Sequence, residues 1–149
     1  MIIEIWTKEK YAGNEEAAFK ARLAHAGLKV ETARLSRLYS VEGDFSKAEF
    51  SRIASELLTD NITEHCATTP RRSVLKGACR VEVWLKDSVT DVVGESVREA
   101  VRDVAGKAPA SVRFGRAYYV PCDPGPKLSR AVSRTLVNEV VNKFKIEKC

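Results

Sequence analysis

The sequence lacks the short motifs that most often reveal an active site. It has no glycine-rich phosphate loop, no H-E-x-x-H pattern and no G-x-S-x-G pattern. It contains four cysteines, and no two of them have the C-x-x-C spacing of a metal clip. We therefore predict free thiols, no catalytic residue, no metal site and no cofactor-binding site on this chain.

Long apolar runs are missing as well. No run approaches the roughly 18 residues that a membrane-spanning helix needs. The N-terminus has a strand pattern that contains Glu4, whereas a signal peptide would have an uninterrupted apolar stretch. The sequence therefore predicts a cytoplasmic protein that makes no use of a membrane.

Charge is present but not concentrated. The net charge is +5 and the pI is about 9.1, with −2 on residues 1–66 and +4 on residues 80–149. Basic and acidic residues alternate along the chain, whereas non-specific nucleic-acid binding needs a basic stripe. We predict no nucleic-acid partner. The alternative, a binder that uses the basic second half, predicts a salt-dependent gel shift.

Tryptophan is scarce, and its positions reveal a repeat. The segment IEIWTK at 3–8 returns 78 residues later as VEVWLK at 81–86, and these two segments hold both tryptophans of the chain. Two further blocks recur in the same order at a separation of 79, namely 37–41 with 116–120 and 56–62 with 135–141. The sequence therefore predicts two tandem copies of one small unit.

Each copy is predicted to be β-α-β-β-α, which makes the fold class α+β with mainly antiparallel sheets. In the first copy we expect strands at 2–7, 28–34 and 37–42 and a helix at 14–26. A tight turn at Ser36 would join the second and third strands. In the second copy the matching turn falls at Gly115, between strands at 111–114 and 116–120.

The last helix of each copy has the firmest local signals. Ser46 and Glu49 form a capping box in the first copy, and a Pro-Gly-Pro sequence at 124–126 precedes the helix in the second. The predicted buried face of the first helix consists of Phe50, Ile53, Leu57, Leu58 and Ile62. That of the second consists of Leu128, Val132, Leu136, Val140, Val141 and Phe144.

The repeat sets the domain organisation. We assign residues 1–66 to the first repeat, 67–79 to a linker and 80–149 to the second repeat. Units of about 65 to 70 residues are near the lower limit for independent folding. We therefore expect the two copies to pack together as a pseudo-dimer, or to pair with other chains, because exposed strand edges recruit partners.

Six residues are the candidate contacts to a partner. Two matching strands carry an Arg-x-Tyr element, and the first strand of each copy carries a tryptophan. Because tyrosine, tryptophan and arginine are common interface anchors, we expect the Arg-x-Tyr elements on an outward sheet face. The candidates are Trp6, Arg37, Tyr39, Trp84, Arg116 and Tyr118. An alternative is that the Arg-x-Tyr pairs bind a phosphate or a base.

Several blocks together resemble one protein family. In the second copy they are VEVWLK at 81–86, GESV at 94–97, VRFGR at 112–116 and LVNEVV at 136–141. In the first copy, 37–44 and 56–64 show a similar pattern. Both copies resemble PurS, the small subunit of phosphoribosylformylglycinamidine (FGAM) synthase in purine biosynthesis. A tandem copy similar to this one also forms the N-terminal part of fused PurS–PurL polypeptides.

The resemblance implies a structural role without chemistry of its own. Such a subunit bridges a PurL-type synthetase, which uses ATP and Mg, and a PurQ-type glutaminase, which supplies ammonia from glutamine. The chain would then be a component of a ligase and a homodimer or pseudo-dimer. A small-molecule-binding regulatory α+β module is the alternative, and a rise in thermal stability with a nucleotide or an amino acid would reveal it.

Overall fold

The computed structural model describes residues 1–69 and 77–148. These described residues contain six strands: β1 (Ile2–Thr7), β2 (Arg34–Glu42), β3 (Glu64–Ala67), β4 (Cys79–Leu85), β5 (Ser111–Val120) and β6 (Asn142–Lys148). The helices are α1 (Gly13–His25), α2 (Lys47–Arg52), α3 (Val92–Ala105) and α4 (Pro126–Thr135). A 3-10 turn at Glu9–Tyr11 precedes α1, and α2 continues as a π-helix at Ile53–Leu58.

All six strands form one antiparallel sheet in the order β3-β1-β2-β5-β4-β6. The predicted α+β class with antiparallel strands is therefore confirmed. The order of elements in each half differs from the prediction, because both halves read β-α-β-α-β. The third strand follows the second helix and lies on the outer side of the first strand.

The predicted hairpins are wrong, because each is replaced by one long strand. Strands β2 and β5 run without a turn through Ser36 and Gly115 and pair along their whole length, from Arg34 opposite Tyr119 to Glu42 opposite Ser111. Both supposed turn residues are buried at the centre of the sheet. The long strands are favoured because β2 and β5 pair with each other along their whole length, which two short hairpin strands could not do.

The last helices end earlier than predicted. Ile62 and Val140 are 74% and 80% exposed, and Phe144 lies on β6 instead of on a helix. The cause is a tight turn before β3 and β6, in which the side chains of Asp60 and Asn138 accept hydrogen bonds from the backbone two residues ahead. Each turn ends the helix and is followed by an edge strand that the sequence pattern did not predict.

Several start and stop signals are confirmed. Ser46 and Glu49 form the predicted capping box, and Gly27 and Gly106 have the positive φ that ends the first helix of each half. Asn14, however, does not cap α1, which begins at Gly13 with no side-chain cap. The predicted linker 67–79 includes residues 70–76, which lie outside the described residues, while Ala67 and Cys79 belong to β3 and β4.

The helices cover one face of the sheet and bury two apolar cores against it. In the first core, Phe19 and Leu23 of α1 pack against β4, β5 and α4, and the Phe19 and Tyr118 rings lie 5.0 Å apart. In the second core, Val101 of α3 joins the side chains of β1, β2 and α2. Each core thus combines the first helix of one half with the second helix of the other, so neither half buries its apolar residues alone.

The turns before β3 and β6 correspond at a separation of 78 residues, whereas β2 and β5 correspond at 79. Lys8 N donates to the carbonyl of Thr63, and Lys86 N donates to that of Val141. Asp60 therefore corresponds to Asn138, although the sequence alignment at 79 pairs it with Glu139. The π-helix at Ile53–Leu58 explains the shift, because a π-helical turn holds an extra residue relative to an α-helix.

Candidate functional site: the sheet faces and a buried charged cluster

The structure places the two predicted Arg-x-Tyr elements beneath the helices. Alternate residues of a strand point to opposite faces, and Tyr39 and Tyr118 lie in the two cores at 5% and 4% exposure. Arg37 and Arg116 point to the same side. The expected outward sheet face is therefore not where these residues lie, and their contact with a partner stays a prediction.

Arg37 and Arg116 occupy the centre of the sheet, directly opposite each other in the pairing of β2 with β5. Arg37 is neutralised, because its Nη2 lies 2.7 Å from a carboxylate oxygen of Glu64, and its Nη1 donates to the hydroxyl of Tyr39. Arg116 is exposed and its guanidinium lies 5.6 Å from the centre of the Phe114 ring. Two identical residues in matching positions therefore have different surroundings.

The two tryptophans lie on the opposite face, which carries no helix among the described residues. Trp84 lies across Gly115, its partner in the strand pairing, and its Nε1 donates to Glu82 over 3.1 Å. A methyl group on Gly115 would stand 2.5 Å from the Trp84 ring, so the glycine serves close packing and not a turn. Trp6 stacks at a tilt against His65, with ring centres 5.9 Å apart.

A cluster of buried charges lies on this same face. Arg80 donates from Nη1 to Glu4 over 2.8 Å and from Nε to Glu82 over 3.0 Å. Tyr119 donates its hydroxyl to the other oxygen of Glu4 over 2.6 Å and also accepts from Arg80. Glu4, Arg80 and Tyr119 are at most 2% exposed. Glu4 comes from the first half, and the other three residues come from the second.

Sequence reasoning missed this cluster, although a signal was present. Glu4 and Glu82 each interrupt an apolar strand at matching positions, and a charge within such a strand needs a partner if it is buried. The partner is Arg80, at the position where the first half has Ile2. A single arginine therefore pairs with both carboxylates. The repeat did not predict this arginine, because the matching residue 78 positions earlier is the apolar Ile2.

The electrostatics of the cluster favour the charged form of Arg80. Burial disfavours a charged guanidinium, but the hydrogen bonds and charges of Glu4, Tyr119 and Glu82 outweigh this cost and hold the pKa of Arg80 above its ordinary value. Lys145 lies 3.8 Å from Glu82 and adds a partly exposed cation. The cluster is thus an ion-paired link across the sheet and offers no free base for proton transfer.

A groove of about 540 Å³ lies beside the cluster on the helix-free face. Its walls carry both apolar and charged groups, including Trp84, Glu82, Arg113, Lys143 and Lys145. Arg113 is held in place because it donates to the carbonyls of Leu85, Lys86 and Val89. Glu42 and Asp87 also line it, so acidic and basic groups are balanced, and the groove is a shaped surface of mixed charge that a partner could contact.

The thiols and possible metal ligands have ordinary structural surroundings. Among the described cysteines, Cys66, Cys79 and Cys122 form no disulfide, and Cys79 donates to the carbonyl of Cys122 over 3.1 Å. Burial, with the neighbouring Cys79, raises the pKa of the Cys122 thiol. Within 1–69 and 77–148, no group of three or more His, Cys, Asp or Glu side chains could hold a metal ion. Across the same residues, no helix is long and apolar enough to cross a membrane.

Comparison with known proteins bears on the second half of the chain. No curated protein matches the sequence. Residues 78–148 match the family model of PurS, which is described as phosphoribosylformylglycinamidine (FGAM) synthase, and this segment runs from the residue before β4 to the end of β6.

Proposed function

We propose that this chain is a non-catalytic structural component of FGAM synthase in the de novo synthesis of purines. The match of residues 78–148 to PurS carries the proposal. The buried charges of the described residues pair with one another, which suits a scaffold. In this role the chain bridges a PurL-type synthetase and a PurQ-type glutaminase in the cytoplasm, and ATP, Mg and glutamine are used by those partners.

The first half, in this proposal, is a second PurS-like unit. The support is geometric, because each half places its third strand outside its first strand and its second strand at the sheet centre. The pairing of β1 with β2 and that of β4 with β5 have the same register when positions are matched, and the turns before β3 and β6 share their hydrogen bonds. Tandem duplication explains this correspondence most simply.

The two units then form a pseudo-dimer joined through β2 and β5. The local two-fold axis passes between Arg37 and Arg116, which occupy matching positions and face each other. In a two-fold interface, residue i of one copy contacts residue j of the other and the reverse also holds. Fusion in one chain removes the need for identical faces, and the halves have diverged to net charges of −2 and +4.

Because the halves differ, we propose that they contact different partners, with Trp6 and Trp84 as probes of the two sides. Purified chain is mixed with a PurL-type synthetase and a PurQ-type glutaminase in the presence of ATP, Mg and glutamine, and the complex is analysed by size exclusion. We expect one complex that contains all three proteins. No association under these conditions contradicts the proposal.

Separate alanine variants then locate the contacts. Trp6→Ala and Trp84→Ala are expected to weaken binding of different partners, since Trp6 packs on His65 whereas Trp84 packs on Gly115 and lines the groove. Val140→Ala, at an 80% exposed site in the turn before β6, serves as the control. Equal effects of the two tryptophan variants on every partner would refute the division of roles.

A further inference from the structure

The charge balance at the sheet centre differs between the two halves. Glu64 and Asn142 occupy matching positions, because Glu64 lies opposite Thr7 in β1 and Asn142 lies opposite Leu85 in β4. Each lies diagonally from the arginine of its own half. In the first half the result is the ion pair between Arg37 and Glu64. In the second half the matching pair is an arginine and a neutral amide.

The hydrogen bonds of Glu64 and Asn142 show that the second half lacks the acceptor that pairs with the arginine in the first half. Glu64 uses Oε1 to accept from the backbone N of Asp60 and Oε2 to accept from Arg37. Asn142 Oδ1 matches Glu64 Oε1, because it accepts from Asn138 N over 3.0 Å. Its remaining polar atom is an amide nitrogen, which can only donate. The second half therefore presents two donors where the first half has a donor and an acceptor.

Arg116 and Asn142 line one pocket of about 260 Å³ on the helix-covered face. The rest of its wall is apolar and consists mainly of Val83, Leu85, Phe114, Tyr118 and Leu136. None of the carboxylates in 1–69 and 77–148 lies within ion-pair distance of the Arg116 guanidinium. The pocket thus combines an unneutralised cation, an amide donor and an apolar lining, which together favour a carboxylate on a short aliphatic stem.

The repulsion between Arg37 and Arg116 also favours a carboxylate in the pocket. Arg37 and Arg116 face each other across β2 and β5, and like charges directly opposite in a sheet destabilise it. Glu64 compensates the charge of Arg37. A carboxylate in the pocket would compensate that of Arg116 in the same manner.

We propose that this pocket is a binding site for the side-chain carboxylate of a glutamate residue supplied by another polypeptide. The precedent lies within the chain, because the matching place in the first half is filled by a glutamate side chain on a β-strand. The pocket, at about 260 Å³, is large enough to admit such a side chain. The inference concerns the isolated chain, so its failure would leave the proposed role in FGAM synthase untouched.

The test uses a blocked glutamate, N-acetyl-L-glutamate α-methylamide, whose only charge is the side-chain carboxylate. The compound is titrated into the full chain, and binding is monitored by NMR through the ¹⁵N–¹H signals of Arg116 Nε and Asn142 Nδ2. We expect saturable shifts at both, with a dissociation constant on the order of 1 mM, as for one small weakly held group. The blocked glutamine analogue has the same shape without the charge and should cause no shift.

Two variants of the pocket make the test specific. Arg116→Gln removes the cation. Asn142→Glu supplies the carboxylate from the chain itself and keeps the acceptor for Asn138 N, as Glu64 does for Asp60 N, so it should remain folded. Both are expected to weaken binding of the blocked glutamate at least about tenfold. Unchanged affinity in folded Asn142→Glu overturns the proposal.

The mirror variant tests the comparison between halves. Glu64→Asn leaves Arg37 with an amide neighbour, and it should create a second site reported by the Arg37 Nε signal. If the folded variant gains no new site, the match between Glu64 and Asn142 does not determine binding, and the proposal is overturned. Inorganic phosphate separates a carboxylate pocket from a general anion site, and phosphate binding as tight as that of blocked glutamate also overturns the proposal.

Discussion

Glu4 and Arg80 form a buried ion pair, with 2.8 Å between Oε1 and Nη1, although one belongs to the first half of the chain and the other to the second. Strands β2 and β5 lie between their own strands in the sheet. The two side chains therefore extend across the sheet, and they do so where it carries the small residues Ser36 and Ala117. This pair links the halves on the face opposite the helices.

Removing Arg80 should be strongly destabilising. Arg80→Met leaves the carboxylates of Glu4 and Glu82 buried without their shared cation, and such a loss typically costs about 3–5 kcal/mol. The free energy of unfolding in urea measures the effect. Arg102→Met is the matched control, because its ion pair with Asp103 is exposed and its removal should cost less than about 0.5 kcal/mol. Equal costs for the two variants would contradict the role of the buried cluster.

Gly115 should tolerate no side chain while Trp84 lies across it. In Gly115→Ala the new methyl group meets the Trp84 ring at 2.5 Å and the Val83 carbonyl oxygen at 2.8 Å, and overpacking of this kind costs about 1–3 kcal/mol. Gly13→Ala is the control, since nothing lies within 4 Å of the added atom at this helix start. We expect unchanged or slightly higher stability there. Thermal unfolding of both variants checks the contrast.

The capping box should make stability depend on acid pH. The hydrogen bond from the backbone N–H of Ser46 is the main cause that lowers the pKa of Glu49. The lowered value means that the ionised form stabilises the folded state above the unfolded pKa of about 4.3, and that this contribution is lost as the pH falls through the folded value. Glu49→Gln should remove this part of the pH dependence. Identical stability profiles of the variant and the wild type between pH 2 and 6 would contradict it.

The halves should not fold separately. Phe19 and Leu23 of α1 pack on the second half, while Val101 of α3 packs on the first. Fragments 1–69 and 77–149 would each expose one core face, so we expect neither to show cooperative unfolding by far-UV circular dichroism. An equimolar mixture should regain helical signal as the two associate. Cooperative unfolding of either fragment alone would show that the cores are less shared than described.

The sequence predicted the features that depend on local chemistry. The capping box of Ser46 and Glu49, the glycine stops at Gly27 and Gly106 and the paired tryptophan strands all follow from short patterns that act within a few residues. Burial of Leu128 and Val132 followed from helical periodicity. These predictions are confirmed because no distant contact competes with them.

Features set by distant contacts were not predictable in this way. Gly115 resembles a turn glycine until its neighbour Trp84, 31 positions earlier in the chain, is known to lie over it. The apolar helical patterns continue into the turn before β3 at Ile62 and into β6 at Phe144, and only the side chains of Asp60 and Asn138 mark the turns. The cluster around Arg80 joins residues up to 115 positions apart, between Glu4 and Tyr119.

The most direct test of the structural role measures FGAM formation by a purified PurL-type synthetase and PurQ-type glutaminase with and without this chain, using either glutamine or free ammonia as the nitrogen source. In the proposed role, the chain holds the two partners together so that ammonia passes from the glutaminase to the synthetase. We predict that the chain raises the glutamine-dependent rate at least about tenfold and leaves the rate with saturating ammonia much less affected. Equal glutamine-dependent rates with and without the chain would contradict the central claim.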